Sequence, residues 1–251
     1  MISIITCSND DQRFEAVRDM YRRHLGGGEY EIIRITDARS MCEGYNHGVA
    51  RSRGDLLIFC HDDIELLCDD FASRLRGHLG EFDLVGVAGA SKIIGPLWGG
   101  AGVPYLYGQL AYPVANKPGN WHVEILNVPA RRIGKIVALD GVFMAARRTL
   151  LSSVQFDEQT FTGFHHYDLD FSYRAHLAGF KVGVAADLDL IHASRGSLDE
   201  SWQQSAMAFA AKHPEAASHD LRKWQPMGAR VGNIEEVKAM FHPPHWDHAA
   251  R

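Results

Sequence analysis

Leu56-Leu57-Ile58-Phe59-Cys60-His61-Asp62-Asp63-Ile64-Glu65 is the stretch on which the reading of this chain turns. Its apolar half is too short for most helices and contains Ile and Phe, so it predicts a strand buried on both faces in a mostly parallel sheet. The strand runs into His61, Asp62 and Asp63. Ligands of open α/β sheets bind beyond the carboxyl ends of the strands, which puts this trio where chemistry is usually done. Adjacent carboxylates repel. A hard divalent cation with open coordination positions relieves that repulsion and can hold the phosphates of a nucleotide. On these ten residues alone, Asp62 and Asp63 serve equally well as the start of a turn or the cap of the next helix.

The flanking sequence supports an α/β class. Ile2 to Thr6 predicts a strand, Asp11 to Leu25 a helix with Phe14, Val17, Met20, Tyr21 and Leu25 on one face, and Gly26 to Gly28 its stop. Tyr30 to Thr36 predicts a second strand and Ser40 to Arg53 a second helix, with Glu43 three residues after the candidate cap Ser40. Strand, helix, strand, helix, strand points to right-handed crossovers in a nucleotide-binding layered fold. Asp69 to Leu79 continues as helix and Leu84 to Ala88 as strand. From Gly89 to Gly134 periodicity fades while glycine, proline and aromatics such as Trp98 accumulate, which predicts either an irregular acceptor loop whose rings stack on sugars or a surface loop packing its own aromatics.

Strands are expected again at Lys135 to Leu139 and Val142 to Ala145, with a short helix at Arg148 to Val154. Phe156 to Phe164 reads as irregular. Tyr167 to Ala178 is a helix ended by Gly179, with Asp170 and Arg174 one turn apart. Lys181 to Val184 and Leu188 to His192 read as short strands, and Asp199 to Lys212 as an amphipathic helix. The polar segment from His213 onward reads as a tail, and its His242, His245 and His248 lack the acids or cysteines that would complete a metal site.

Composition narrows the function classes. The 251 residues, 46% hydrophobic, can fill a proper core. With 31 acids against 26 bases and no basic patch, nucleic acid is disfavoured as a partner. Cys7, Cys42, Cys60 and Cys68 lack paired spacing, so reduced thiols are expected rather than a zinc site or a disulfide framework. No leader or membrane-length apolar run is evident, so the expected location is cytoplasmic, with peripheral membrane association left open.

The blocks Ser3 to Thr6, Gly44 to Ala50, His61 to Asp63, Leu139 to Met144 and Phe164 to Arg174, followed by His192 and Ser197, stand in an order that resembles the family 2 glycosyltransferases of GT-A fold. The resemblance implies a mostly parallel, Rossmann-like central sheet flanked by helices with an irregular acceptor-side loop region. It implies a single domain over residues 1–212, its nucleotide-sugar half 1–95 and its acceptor half 96–212, with 213–251 as tail or extension. It implies a nucleotide-sugar donor, UDP first and dTDP next, a glycan, lipid-linked or small-molecule acceptor, and a divalent cation, Mn2+ or Mg2+.

Carried over by position, Thr6, Ser8, Asp37, Asn46 and Asp62 are the nucleotide-side residues, Asp63 and His192 the metal ligands, and Asp168 the general base. Trp98, Asp140, Gly141 and Asp170 fall on the acceptor or donor-sugar side. His61 replaces the first acid of the usual Asp-x-Asp, and Tyr167 replaces a Glu. An inverting displacement is favoured over retention, because a carboxylate can deprotonate the acceptor hydroxyl. A GT-A-like domain that only binds is the main rival. A sugar nucleotidyltransferase is disfavoured by the acidic, glycine-free Cys7 to Asp11.

Overall fold

β1 (Ile2–Cys7), α1 (Asp11–Leu25), β2 (Tyr30–Ile35), α2 (Met41–Arg51) and β3 (Leu56–Cys60) make the alternating first third of the chain. The computed structural model describes residues 1–196, 198–216, 227–242 and 246. Asp10 caps α1 through the amides of Gln12 and Arg13, and Gly26, at φ 53°, ends it. Ser40 caps α2 through the amide of Glu43 at 3.1 Å. The apolar stretch of the central strand stops at Cys60, and after a tight turn through His61 to Asp63 the chain re-enters a sheet as β4 (Ile64–Leu66).

α3 (Phe71–Glu81), β5 (Leu84–Gly86) and β6 (Ala88–Ala90) follow, then β7 (Leu106–Pro113), β8 (Trp121–Ile125), β9 (Arg132–Ile133) and β10 (Ala138–Leu139). The remainder is β11 (Phe143–Arg147), α4 (Arg148–Leu151), α5 (Tyr167–Leu177), β12 (Val182–Ala185), β13 (Leu190–His192), α6 (Glu200–Lys212), β14 (Met227–Val231) and α7 (Ile234–Phe241). No described helix is long and apolar enough to cross a membrane. All four cysteines are free thiols.

The central sheet runs β2-β1-β3-β11-β5-β12-β9. β1 lies parallel to β2 and β3, and β12 parallel to β5, while β11 and β9 run antiparallel to their neighbours. A second sheet runs β10-β6-β7-β13-β4, with β8 on β7 and β14 on β8. Helices and the second sheet cover the first, so β1 and β3 are almost wholly buried, as their apolar runs require.

Residues 89–134, expected to be irregular, keep irregular stretches but also carry β7, β8 and β9. The reason lies at Gly108, whose φ is 113° and where a Cβ would strike the Val87 carbonyl. Leu106 to Gly108 pair with β6, and Gln109 to Pro113 pair with β8. A strand that changes partner midway keeps no single buried face, so it shows no clean alternation. The segment after Lys212, expected to be a solvated tail, likewise carries β14 along the edge of β8 and α7 with Val237 and Phe241 buried. His242, though exposed, bonds the buried Asp189 at 2.7 Å, whereas Ser197, His245 and His248 lie outside the described residues.

Candidate active site

Backbone pairing brings the acidic turn against β13. His192 sits opposite Ile64 in the β13–β4 ladder, the amide of Ala193 donates to the Asp63 carbonyl at 2.8 Å, and the amide of His61 donates to the Val142 carbonyl at 3.1 Å. The side chains of His61, Asp63 and His192 converge as a result, with one ligand atom from each within 4.8 Å of the others. His192 Nε2 lies 3.2 Å from His61 Nδ1 and 3.2 Å from Asp63 Oδ1, and Ser194 Oγ is 3.4 Å away.

The ionisation states suit a cation. Burial pushes the Asp63 carboxyl up, but hydrogen bonds from His192 and Ser194 and the charges of His192 and His61 outweigh it and hold the group well below the usual carboxylate range. Burial, followed by repulsion from His192, lowers the pKa of His61 and favours its neutral form. Ligands must be deprotonated to bind metal, and these conditions favour that.

Tyr167 fixes which nitrogen of His61 is available. Its hydroxyl donates to the Gly141 carbonyl at 3.1 Å, so at 2.8 Å from His61 Nε2 it accepts the imidazole N–H. The Nδ1 lone pair of His61 is thereby turned toward His192 and Asp63. A divalent cation fits this donor set of two imidazoles and a carboxylate.

The rings of Tyr45, Phe59, Phe156 and Phe171 pack beneath Tyr167, Tyr45 lying 5.6 Å from it and Phe156 stacking on Phe171 at 4.0 Å. They seat the start of α5. The loop between β10 and β11 approaches so closely that a Cβ on Gly141 would collide with Tyr167 and Asp168. Helix α5 begins at Tyr167 with His166 at the cap position, so Asp168 lies inside the first turn rather than capping it.

A cavity of about 430 Å3 opens over these groups. His61, His192, Asp140, Gly141, Tyr167 and Asp168 line its floor, and Trp98, Tyr112, Glu124 and Arg195 belong to its walls. Burial first, and the neighbouring Asp140 charge second, push the Asp168 carboxyl up to about 7 against the partial relief of the Leu169, Asp168 and Gly141 amides. A carboxyl with that ionisation can exchange protons at neutral pH.

The cavity thus gathers Asp168, His192, Trp98, Asp140 and Gly141, and the cluster of His61 and His192 that could hold a cation includes Asp63. Thr6, Ser8 and Asp62 lie at the adjoining carboxyl ends of β1 and β3, with Thr6 and Ser8 buried, Asp62 3.7 Å from Arg13, and Asp37 exposed two residues beyond β2. Asn46 is spent on the loop before α5: its amide nitrogen donates to the Phe156 carbonyl at 2.9 Å and to Glu158 at 3.0 Å, and its oxygen accepts from the Phe156 amide. Asp170 does not reach the cavity. It is buried among Arg174 at 2.8 Å, Lys212 at 2.6 Å and His213 at 2.9 Å, a knot that ties α5 to the end of α6.

Sequence reasoning did not single out Glu124 or Arg195, and took Tyr112 only as one of the aromatics of residues 89–134. Arg195 stacks over the Tyr112 ring at 4.6 Å and pairs with Glu124 at 3.0 Å. Its place three residues after His192 was the one available signal.

A family profile described as "Glycosyltransferase like family" matches residues 3–213. The chain belongs to that family. Its mixed α/β architecture, a large central sheet flanked by helices, is the GT-A arrangement, and membership puts the chain among glycosyl-transfer enzymes. A relative from Fuscovulum blasticum, "ATP synthase subunits region ORF 6", is 28% identical over 241 residues, covering 90% of this chain and 85% of its own. Among solved structures, A197 from STIV covers 78% of this chain and 95% of its own at 11% identity and a TM-score of 0.40. S. aureus TarS 1-349 covers 85% and 72% at 12% identity and 0.41.

Proposed function

We propose that this glycosyltransferase-family chain transfers a sugar from a nucleotide-diphosphate donor, UDP first and dTDP next, to an acceptor hydroxyl with inversion. The observation that carries the reading is a buried carboxyl, Asp168, lining the same cavity as the His61 and His192 imidazoles, with burial pushing its ionisation up toward neutrality. Asp168 accepts the acceptor's proton as that oxygen bonds to the anomeric carbon, and the bond from that carbon to the diphosphate breaks on the opposite side. Burial, and after it the Asp140 charge, keeps the base from ionising too early. Tyr167 and Gly141 hold His61 in the tautomer described above. A divalent cation held by His61, Asp63 and His192 would supply neutralisation of the departing diphosphate.

Replacement of the usual acid by His61 and of the usual Glu by Tyr167 also fits a domain that binds without turnover. The bond between the two substituted residues favours catalysis, since it orients a ligand rather than leaving two relics. A thermal-shift screen of UDP, dTDP and their sugars with and without Mn2+ tests the reading, because a ligand of the native state raises apparent stability with occupancy. A cation-dependent rise for a nucleoside diphosphate is the expected result, and a flat profile across the set speaks against it.

Imidazole nitrogens bind first-row transition cations better than Mg2+, so Mn2+ should bind more tightly than Mg2+. Tyr167→Phe removes the acceptor for the His61 N–H and should weaken Mn2+ about 10-fold to 100-fold, read by calorimetry without any substrate. Unchanged Mn2+ affinity would show that Tyr167 does not orient the ligand.

A further inference from the structure

The catalytic cavity changes character from floor to mouth. Its lining joins the polar His61, His192, Asp140 and Asp168 to an apolar face of Pro96, Leu97, Trp98, Phe164, Leu198 and Trp202, of which Phe164 and Leu198 are exposed and so lie toward the opening. Phe164 is 53% exposed and Leu198 64%, which puts two of the most exposed large hydrophobic side chains among the described residues at this one opening. Isolated exposed hydrophobics need no explanation, but a cluster continuous with a reactive floor does.

Some polar atoms beside that wall are already bonded within the protein. His165 Nε2 meets Ser201 Oγ at 3.1 Å, His166 Nε2 the Pro96 carbonyl at 2.8 Å, and Arg195 the Glu124 carboxylate at 3.0 Å. A polyhydroxylated body packed on Pro96, Leu97, Trp98, Phe164 and Leu198 would meet carbon rather than polar partners over that face, and unpaired buried hydroxyls are costly. An apolar body would instead cover rings and aliphatic chains that water now wets.

Resting on the transfer reading above, we propose that the acceptor presents its reactive hydroxyl on an apolar body, alkyl or aryl, which packs on the wall formed by Trp98, Phe164, Leu198 and Trp202. The hydroxyl end faces Asp168 and the apolar end faces the mouth. The acceptor is therefore an amphiphile or an aryl aglycone rather than a free oligosaccharide.

The test compares three probes with one head group, methyl, octyl and phenyl β-D-glucoside, the octyl compound below its micelle concentration, titrated against tryptophan fluorescence. Burying as few as two methylenes is worth about tenfold in affinity, so the octyl or the phenyl probe should bind at least about tenfold more tightly than the methyl one. A gain for octyl alone marks an alkyl body, and a gain for phenyl alone an aryl one. The double variant Phe164→Ser, Leu198→Ser changes two exposed side chains and should abolish the gain while the fold stands. Equal binding of all three probes, or a preference that survives the double variant, overturns the proposal. UDP with Mn2+ titrated into the same wild-type sample reads the transfer reading separately, so UDP binding without an apolar preference sinks this inference alone.

Discussion

Asp168→Asn is expected to cut sugar transfer by about 10²-fold or more while leaving UDP affinity unchanged. The carboxyl lines the cavity but is not one of the three side chains that could hold the cation, so loss of its basicity should fall on the transfer step rather than on cation-dependent UDP binding. Asn keeps the size of the side chain and its power to accept the Gly141 and Leu169 amides, and only basicity is lost. Wild-type kcat/KM should climb as pH rises through about 7, where the raised carboxyl ionises, and then level off.

The stability consequence has the opposite sense to that of a salt-bridged acid. The folded chain retains this proton between the ordinary value of 3.8 and about 7, whereas the unfolded chain releases it. Stability from this group is thus lost as pH rises across that window, and the cost is complete above it. Asp168→Asn should therefore melt at or above the wild-type temperature at pH 8. A variant that transfers normally removes Asp168 from the mechanism, and one that melts lower at pH 8 shows a structural rather than a basic role.

Asp63→Ala is expected to lower UDP affinity in Mn2+ about 10-fold to 100-fold, to the level seen with chelator. Removal of the carboxylate leaves two imidazoles facing each other at 3.2 Å without the anionic ligand that offsets a cation's charge. The backbone bonds through the Asp63 carbonyl and the β4–β13 ladder remain, so the turn should keep its shape. Asp62→Ala is the control: its carboxylate points toward Arg13 at 3.7 Å, and the Mn2+-dependent part of UDP affinity should persist. Calorimetry on the two variants decides it, and the reverse pattern would exchange the roles of the acids.

The α/β class was legible because β1, β2 and β3 are short apolar runs separated by capped helices. The His61 to Asp63 trio was legible as chemistry because it follows such a run. That His61 belongs with Asp63 and His192 was not legible, since their meeting depends on the antiparallel pairing of β4 with β13, more than 120 residues apart in sequence. The same holds for Tyr167, which reads as a lost acid in the chain and as the partner of His61 in space. Asn46 and Asp170 show the converse. Each sits in a block resembling the family's, yet each is consumed by neighbours that sequence spacing does not reveal: the Phe156 to Glu158 loop for one, Lys212 and His213 for the other. Residues 89–134 hid their strands because β7 changes partner at Gly108.

The most direct test of a working transfer centre is release of nucleoside diphosphate from a panel of UDP- and dTDP-linked sugars, with octyl and methyl glucosides as acceptors, by Mn2+-loaded wild type, chelated wild type and Asp168→Asn. Release by the loaded wild type that falls with chelator and with the Asn variant is the predicted result. No release from any sugar nucleotide, by a protein that still binds UDP and Mn2+ in calorimetry, would contradict it and leave a binding domain in its place.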